Sequence, residues 1–283
     1  MILLTGATGT SGLEIAKALL AQAERVRVLA RDPEKAAKLL GDEVEIARGD
    51  FTDEESMLAA MEGVERTLML APPAQNMVEL QSAFIRAAKR AGITHVVKLS
   101  AAGADARSPR LFGQWHGQSE EELKQSGMQW TMLRPSFFMQ NLLGLAGMIK
   151  GGTIYMPTGE GKGAFVDVRD VAAVAAACLS DEGHEGKTYD ITGPAALSYA
   201  EVAQVFSKVL GREVKFVDVP AEAAKKVMLV SGLPEWQAEA VNQLSEGMKQ
   251  GLFDQVTSVV RDVGGKEPIS LEQFARDQRS VFA

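Results

Sequence analysis

Cysteine is nearly absent from this sequence of 283 residues, and acidic residues outnumber basic ones. The single cysteine, Cys178, cannot form an internal disulfide, which favours a reducing compartment and predicts packing in an alanine-rich segment rather than a nucleophile. With 30 Lys and Arg against 37 Asp and Glu, the formal net charge is −7, and no basic block occurs. The electrostatic footprint of a phosphate-backbone binder is missing, so we expect no direct binding to nucleic acid.

Long hydrophobic runs are missing as well. No apolar segment reaches the length that crosses a bilayer, and no basic segment with an apolar core precedes the first glycines. We therefore expect a cytoplasmic chain that does not enter a membrane. The sequence also gives no reason to expect a metal site.

Short aliphatic segments alternate with amphipathic helical patterns over most of the chain. Segments such as "MILLT", "VRVLA", "VEIAR", "TLMLA", "HVVKLS" and "WTMLR" are typical of buried parallel strands. The alternation predicts an α/β fold, a Rossmann-like doubly wound parallel sheet with a small interleaved C-terminal lobe. We expect an NAD(P)-binding domain over residues 1–135 and a substrate-binding lobe over 136–283, with residues 165–192 or so returning to the sheet.

The stretch "LLTGATGTSG" places three glycines between the first predicted strand and the first predicted helix. Gly6, Gly9 and Gly12 would allow a tight turn, close approach of a pyrophosphate and close packing of the helix. Their spacing is GxxGxxG rather than the GxGxxG of the usual dehydrogenases. We predict that this loop binds a dinucleotide, and that its polar side chains also contact the cofactor, namely Thr8, Thr10 and Ser11.

Arg31 follows the second predicted strand, where an NAD enzyme would place a carboxylate for the ribose hydroxyls. A guanidinium is a suitable partner for a 2′-phosphate, which favours NADPH over a weaker binding of NADH. Asp32 is the competing candidate, because a carboxylate one residue later would favour NAD. Its place before Pro33, however, is typical of a helix N-cap.

Residues after the third, fourth and fifth strands are expected to line the same cleft. Asp50 and Phe51 lie where the edge and face of an adenine would be met, although Asp50 is equally well explained as the start of a turn. Ala71 after the fourth strand and Ser100 at the end of the fifth are further candidates for cofactor contacts. A hydroxyl at a strand end also commonly satisfies local groups, so both explanations of Ser100 stay open.

Several segments in this order resemble those of the NmrA-like atypical short-chain dehydrogenases, namely "TGATGTSG", "VLARDPEKA", "ARGDFTD", "VVKLSAAGAD", "SGMQWTMLRPSFFMQN", "GEGKGAFVDVRDVAAVAAACL" and "GKTYDITGP". The resemblance extends from residue 1 to about residue 220. It is greatest to the bacterial NADPH-dependent quinone oxidoreductases and triphenylmethane-dye reductases. It implies the fold more firmly than the reaction, because the family also contains nucleotide-sensing regulators with little or no turnover.

The resemblance implies a Tyr-x-x-x-Lys pair on the helix after the fifth strand, but this chain has Phe112 and His116 at those positions. None of the three tyrosines is followed four residues later by a lysine. An imidazole at position 116 can donate a hydrogen bond to the nicotinamide ribose or to the substrate, and we expect it to position rather than to catalyse. A packed histidine without a role is an equally good reading. Lys98, inside a strand, is a weaker candidate.

Phe138 and Asn141, with Phe137, follow the sixth predicted strand on the side of the sheet where ligands bind. An apolar lining with one amide would suit a flat hydrophobic substrate. Phenylalanines at this spacing also commonly pack as core, so that alternative stays open.

Three functions are compatible with these residues. The first is an NADPH-dependent reductase that passes hydride to a quinone, azo or triphenylmethane-type acceptor, whose need for a positioned acid is small. The second is a non-catalytic NADP(H)-sensing protein that binds a partner protein. A sugar-nucleotide or ketone-specific enzyme ranks last, because its acid and base are not where they would be needed. A homodimer stays open.

Overall fold

The computed structural model describes residues 1–283, and seven of its eleven strands form one parallel sheet. The strands are β1 (Ile2–Thr5), β2 (Val26–Ala30), β3 (Glu45–Arg48), β4 (Arg66–Met69), β5 (His95–Leu99), β6 (Gln129–Pro135), β7 (Thr153–Met156), β8 (Lys162–Gly163), β9 (Lys187–Ile191), β10 (Leu197–Ser198) and β11 (Lys215–Asp218). The sheet order is β3-β2-β1-β4-β5-β6-β9. This is the doubly wound arrangement, with its switch point between β1 and β4, and it confirms the predicted fold class.

Helices cover both faces of this sheet. They are α1 (Thr10–Ala21), α2 (Pro33–Leu40), α3 (Glu54–Met61), α4 (Met77–Arg90), α5 (Leu111–Gln125), α6 (Ala146–Lys150), α7 (Val168–Ser180), α8 (Tyr199–Leu210), α9 (Ala221–Val230), α10 (Glu235–Lys249), α11 (Val259–Asp262), α12 (Leu271–Asp277) and α13 (Arg279–Phe282). One apolar core joins α1, α2 and α7 to the sheet, and a second joins α3, α4 and α5 to its other face.

The segment after β6 leaves the sheet and later returns to it. Helix α7 packs on α1, and β9 pairs with β6 in parallel, with Thr131 opposite Lys187. The remaining strands form two small two-stranded sheets, β7 with β11 and β8 with β10. A third apolar core, which includes Phe206, Phe274 and Phe282, holds this C-terminal part together.

Local capping signals explain several helix starts. Asp32 caps α2 by accepting a hydrogen bond from the Lys35 N–H at 3.0 Å, and Pro33 occupies the first helical position. Ser198 and Glu201 form a full capping box at α8. The spacing of Thr52 and Glu55 also predicts a capping box at the start of α3, but this prediction is wrong, since Asp53 caps that helix. The Thr52 hydroxyl instead donates to Asp50.

Cys178 lies in α7 and is fully buried, without a disulfide partner. Burial raises the pKa of its thiol to about 12, so the thiolate is not formed near neutral pH. The packing role expected for Cys178 is the role it has here. In addition, no helix in the structure is both long and apolar enough to cross a membrane.

Candidate functional site

The glycine loop lies between β1 and α1, at the switch point of the sheet. Gly6 has a φ of +68°, a backbone conformation that favours glycine, and a Cβ at Gly12 would come within 2.2 Å of the Gly6 carbonyl oxygen. A Cβ at Gly9, by contrast, would meet nothing closer than that same oxygen at 3.4 Å. The fold therefore requires Gly6 and Gly12 for itself, whereas Gly9 leaves open space.

That open space is suited to an anion. No side chain caps the start of α1, so the N–H groups of its first turn are free to meet a ligand. Gly9 and Thr10 are exposed, while Thr8 and Ser11 are partly buried beside them. The loop thus fits the pyrophosphate of a dinucleotide, with space and donors at the same place.

Thr5 fixes the base of this crevice and was not singled out from the sequence. Its hydroxyl donates to the Leu68 carbonyl oxygen at 2.9 Å and accepts from the Leu70 N–H at 2.8 Å. These two bonds join the end of β1 to the end of β4 on either side of the switch point. The one signal for this role in the sequence is a threonine in an apolar strand directly before the glycines.

Arg31 is exposed at the end of β2, and its Nε lies 3.7 Å from Asp50 Oδ2. The contact is long and open to solvent, so the guanidinium can turn to another anion at little cost. The Asp32 carboxylate is occupied by the cap of α2. Between the two candidates, Arg31 is the one whose charged group is available to a cofactor.

Asp50 and Phe51 are both engaged by the protein itself. Asp50 Oδ1 accepts from the Thr52 N–H at 2.8 Å and from the Thr52 hydroxyl at 2.7 Å. These bonds, with Arg31 adding a smaller effect, lower the pKa of Asp50. The ring of Phe51 packs against Phe84 with centroids 5.4 Å apart. Turn formation and core packing therefore account for both residues, and a role toward adenine stays a prediction.

Ser100 belongs to a buried polar network that joins β5, α5 and β6. Its hydroxyl donates to Glu120 Oε1 at 2.6 Å, and the Arg134 Nε donates to the same oxygen at 2.9 Å. Glu120 is almost fully buried, and its hydrogen bonds raise the pKa of Arg134. The Ser100 hydroxyl thus satisfies a side chain rather than local backbone. The partly buried Ala71 lies just beyond β4, and no contact assigns either residue to a cofactor.

Lys98 and His116 meet between β5 and α5. The Lys98 side chain is fully buried, donates to Gln81 Oε1 of α4, and brings Nζ to 3.2 Å from His116 Nδ1. Burial lowers the pKa of Lys98 to about 7, and Glu120 opposes this weakly. Burial, and secondly Lys98, hold the pKa of His116 well below its usual 6.5. The imidazole is therefore neutral near pH 7.

Phe112, Trp115 and Trp236 form an aromatic cluster, and the first two belong to the same helix as His116. The ring centroids of Phe112 and Trp115 are 6.0 Å apart, and Trp236 lies 6.3 Å from the first and 5.6 Å from the second. All three side chains are partly exposed. Helix α10 supplies Trp236 from more than a hundred residues away, which the sequence did not indicate.

Helix α10 is fastened to the start of α5. The Leu111 N–H donates to Gln243 Oε1 at 2.8 Å, which satisfies one of the N–H groups at the beginning of α5. The neighbouring Arg110 side chain donates to Gln250 Oε1. These bonds hold Trp236 against Phe112 and give the aromatic cluster a defined shape.

Phe137 and Phe138 mainly pack in the interior. Phe137 lies against Phe253 and Phe165, with centroids 5.1 and 6.0 Å away, and Phe138 packs against the core next to α1 and α7. Packing thus explains both rings, and a role in substrate binding stays a prediction. The Asn141 side chain is exposed to solvent. It remains available to a ligand.

Comparison with known proteins identifies the family to which the chain belongs. The NmrA-like family matches residues 1–273. The chain belongs to that family. The match extends beyond residue 220, where the recognisable segments end, and confirms the resemblance. Within it, the chain is 39% identical over 283 residues to an NAD(P)H azoreductase of Xenophilus azovorans, and the match covers 100% of this chain and 99% of that relative.

Two solved structures of NmrA-like fold are similar over nearly the whole chain. One is the NADPH-dependent quinone oxidoreductase of Escherichia coli complexed with NADPH, with a TM-score of 0.92, 26% identity and coverage of 99% and 100% of the two chains. The other is the Citrobacter sp. triphenylmethane reductase complexed with NADP(H), with a TM-score of 0.89, 26% identity and coverage of 98% and 99%.

Proposed function

We propose that this NmrA-like chain is an NADPH-dependent reductase that transfers hydride to a flat, conjugated acceptor of the quinone, azo or triphenylmethane type. The glycine loop carries this proposal, because it offers open space and free N–H groups at the switch point where dinucleotides bind. The azoreductase, quinone oxidoreductase and triphenylmethane reductase relatives support the same reaction.

The cofactor would be held by the two ends of this crevice. The first turn of α1 would meet the pyrophosphate at Gly9, and Arg31 would pair with the 2′-phosphate after releasing Asp50. Bound NADPH supplies the hydride. His116 would donate a hydrogen bond on the nicotinamide side, from the position where related enzymes carry a lysine.

The aromatic cluster would bind the acceptor. Phe112 precedes His116 by one helical turn, so its ring lies on the same side of α5, and Trp115 and Trp236 extend it into a partly exposed apolar wall. Flat conjugated molecules stack on such rings. Phe112 cannot donate a proton as a tyrosine would, which favours acceptors that spread the incoming charge and take their proton from water.

Loss of NADPH absorbance with menadione, an azo dye, a triphenylmethane dye and a simple ketone tests the proposal. We expect turnover with at least one conjugated acceptor and none with the ketone. The Gly9→Val variant is the matched control, since its Cβ has room in the protein but lies where the pyrophosphate would approach. Absence of turnover with every conjugated acceptor, in a chain that binds NADPH, would refute the reductase assignment.

One observation favours the second candidate, an NADP(H)-sensing protein that binds a partner. Helix α9 has no buried residue, and Val227 and Val230 are 57% and 82% exposed. Such an apolar face is typical of a surface that another chain covers, either a partner protein or a second copy. NADPH binding without turnover, together with a change in mass in solution on replacing Val230 by lysine, would support this alternative.

A further inference from the structure

Three side chains from three different elements form a line of hydrogen bonds that joins α4, β5 and α5. Gln81 projects from α4, Lys98 from the middle of β5 and His116 from α5. Gln81 and Lys98 are 2% and 0% exposed. Lys98 Nζ is hydrogen-bonded to Gln81 Oε1 and to His116 Nδ1, so one amine joins both helices across the sheet surface.

The chemistry of these groups fixes the direction of both bonds. An ammonium group has three N–H donors and no acceptor, and the Gln81 oxygen is an acceptor only. His116 Nδ1 must therefore accept from Lys98, and the neutral ring keeps its proton on Nε2. A neutral amine still has two N–H groups, which suffice for the same two bonds. The ammonium form therefore forces the direction of both bonds, and the neutral form, although its lone pair can also accept, has enough N–H groups to keep that direction.

The free end of the imidazole is open. His116 Nε2 makes no hydrogen bond within the protein, and it is not a buried atom of this partly exposed residue. A group that is held from behind and open in front can serve a ligand. In α5, His116 directly follows Trp115 and comes one helical turn after Phe112, two of the rings proposed to bind the acceptor.

We propose that Lys98, oriented by Gln81, is a positioning residue that holds His116 as the Nε2–H tautomer and so presents a hydrogen-bond donor to the cofactor and acceptor. The proposal rests on the proposed function only for the identity of the groups that receive this bond. It gives a reason for burying a lysine, which costs free energy because a charged group leaves water.

The surroundings of Lys98 support this reading. The residues opposite it on the neighbouring strands are Met69 of β4 and Met132 of β6, which offer no polar partner. The acidic group that acts on Lys98 is Glu120 of α5, and its carboxylate already accepts hydrogen bonds from Ser100 and Arg134. Gln81 and His116 are therefore the two hydrogen-bond partners available to the amine.

Nitrogen NMR of the full-length chain tests the tautomer without any substrate. The three histidines are distinguished by replacing them singly. We expect His116 to stay neutral with its proton on Nε2 from about pH 6 to about pH 9, and its Nδ1 signal to move as Lys98 titrates near pH 7. That movement is lost in Lys98→Met and retained in Lys89→Met, the same change at an exposed position of α4.

Two results would overturn the proposal: a proton on Nδ1 in the wild type, or an Nδ1 signal that still moves near pH 7 in a folded Lys98→Met chain. If Lys98→Met does not fold, the wild-type tautomer still decides, and Gln81→Met tests the orienting bond. None of these readouts requires turnover. Their outcome therefore tests the role of Lys98 independently of the reductase assignment.

Kinetics then separate a positioning role from a merely structural one. Lys98→Met is expected to lower kcat/KM for menadione roughly fivefold, the size of one ordinary hydrogen bond. In a His116→Ala background the same change should have no further effect, because the residue acts through His116. Losses that multiply in the double variant would show that Lys98 does not act through the imidazole.

Discussion

Replacing Lys98 by methionine should change how the stability of the chain depends on pH. The pKa of Lys98 is lowered from 10.5 to about 7, mainly by burial, while Glu120 opposes the shift. Between these two values the unfolded chain binds a proton at Lys98 that the folded chain does not. Unfolding in this window therefore takes up a proton, so the free energy of unfolding rises as the pH rises.

Each pH unit inside the window is worth about 1.4 kcal/mol for one proton. From pH 7 to pH 9 the wild type should gain roughly 2 kcal/mol relative to Lys98→Met, because the two limits of the window are approached gradually. Near pH 7 the variant avoids the burial of an amine but leaves Gln81 Oε1 and His116 Nδ1 without their partner. The two effects oppose each other. The sign of the stability difference between the two chains at pH 7 is therefore less informative than the slope of that difference with pH.

Urea denaturation at constant ionic strength, repeated from pH 6 to about pH 9, measures this slope without cofactor or substrate. The difference between the wild type and Lys98→Met removes the contribution of all other titrating groups. The free energy of unfolding of Lys89→Met, the same change at an exposed position of α4, should depend on pH as that of the wild type does. A constant difference between the wild type and Lys98→Met across this range would show that Lys98 does not titrate in the window.

Three further predictions concern the ligand site. Arg31→Ala should weaken the binding of NADPH by on the order of 1.5–3 kcal/mol and leave the binding of NADH unchanged, which titration with both cofactors checks. An NADPH affinity equal to that of the wild type would contradict the assignment. Gly9→Val should fold normally and not bind NADPH, and normal binding by calorimetry would disprove the role of the loop. His116→Ala should lower kcat/KM for a quinone by a modest factor; complete loss in a folded, NADPH-binding chain would make His116 the catalytic acid instead.

The sheet and the glycine loop were predictable because their signals are local. Buried parallel strands are continuous aliphatic segments, and the loop residues are neighbours in sequence. The cap at Asp32 follows from the next residue, Pro33. The wrong prediction of a cap at Thr52 also has a local cause. The Thr52 hydroxyl donates to Asp50, two residues earlier, and Asp53 caps α3 instead.

The polar groups beneath the site were not predictable, because their partners come from other elements. Lys98 gave one signal, a lysine within an apolar strand, but its partners lie 17 and 18 residues away on two different helices. Glu120 on α5 looks like an ordinary exposed helix residue until β5 and β6 place Ser100 and Arg134 against it. Sequence spacing does not reveal which face of α5 meets the sheet.

The acceptor side depends even more on long-range packing. Trp236 reaches the aromatic cluster only because Gln243 and Gln250 fasten α10 to the start of α5. By contrast, the sequence placed the substrate contacts at Phe137 and Phe138, whose rings are largely used by the interior. An exposed Asn141 is the part of that prediction that packing leaves open.

Ser100, His116 and Phe112 are each engaged by a neighbouring side chain. Ser100 donates to Glu120, His116 accepts from Lys98, and Phe112 packs on Trp115 and Trp236. Position 112 carries no phenol that could protonate a carbonyl oxygen. Conjugated acceptors tolerate that loss because they delocalise the charge that hydride brings, and a ketone does not. The proposed substrate class therefore rests on the absence of a phenol at position 112 as much as on the aromatic cluster that we propose as the acceptor site.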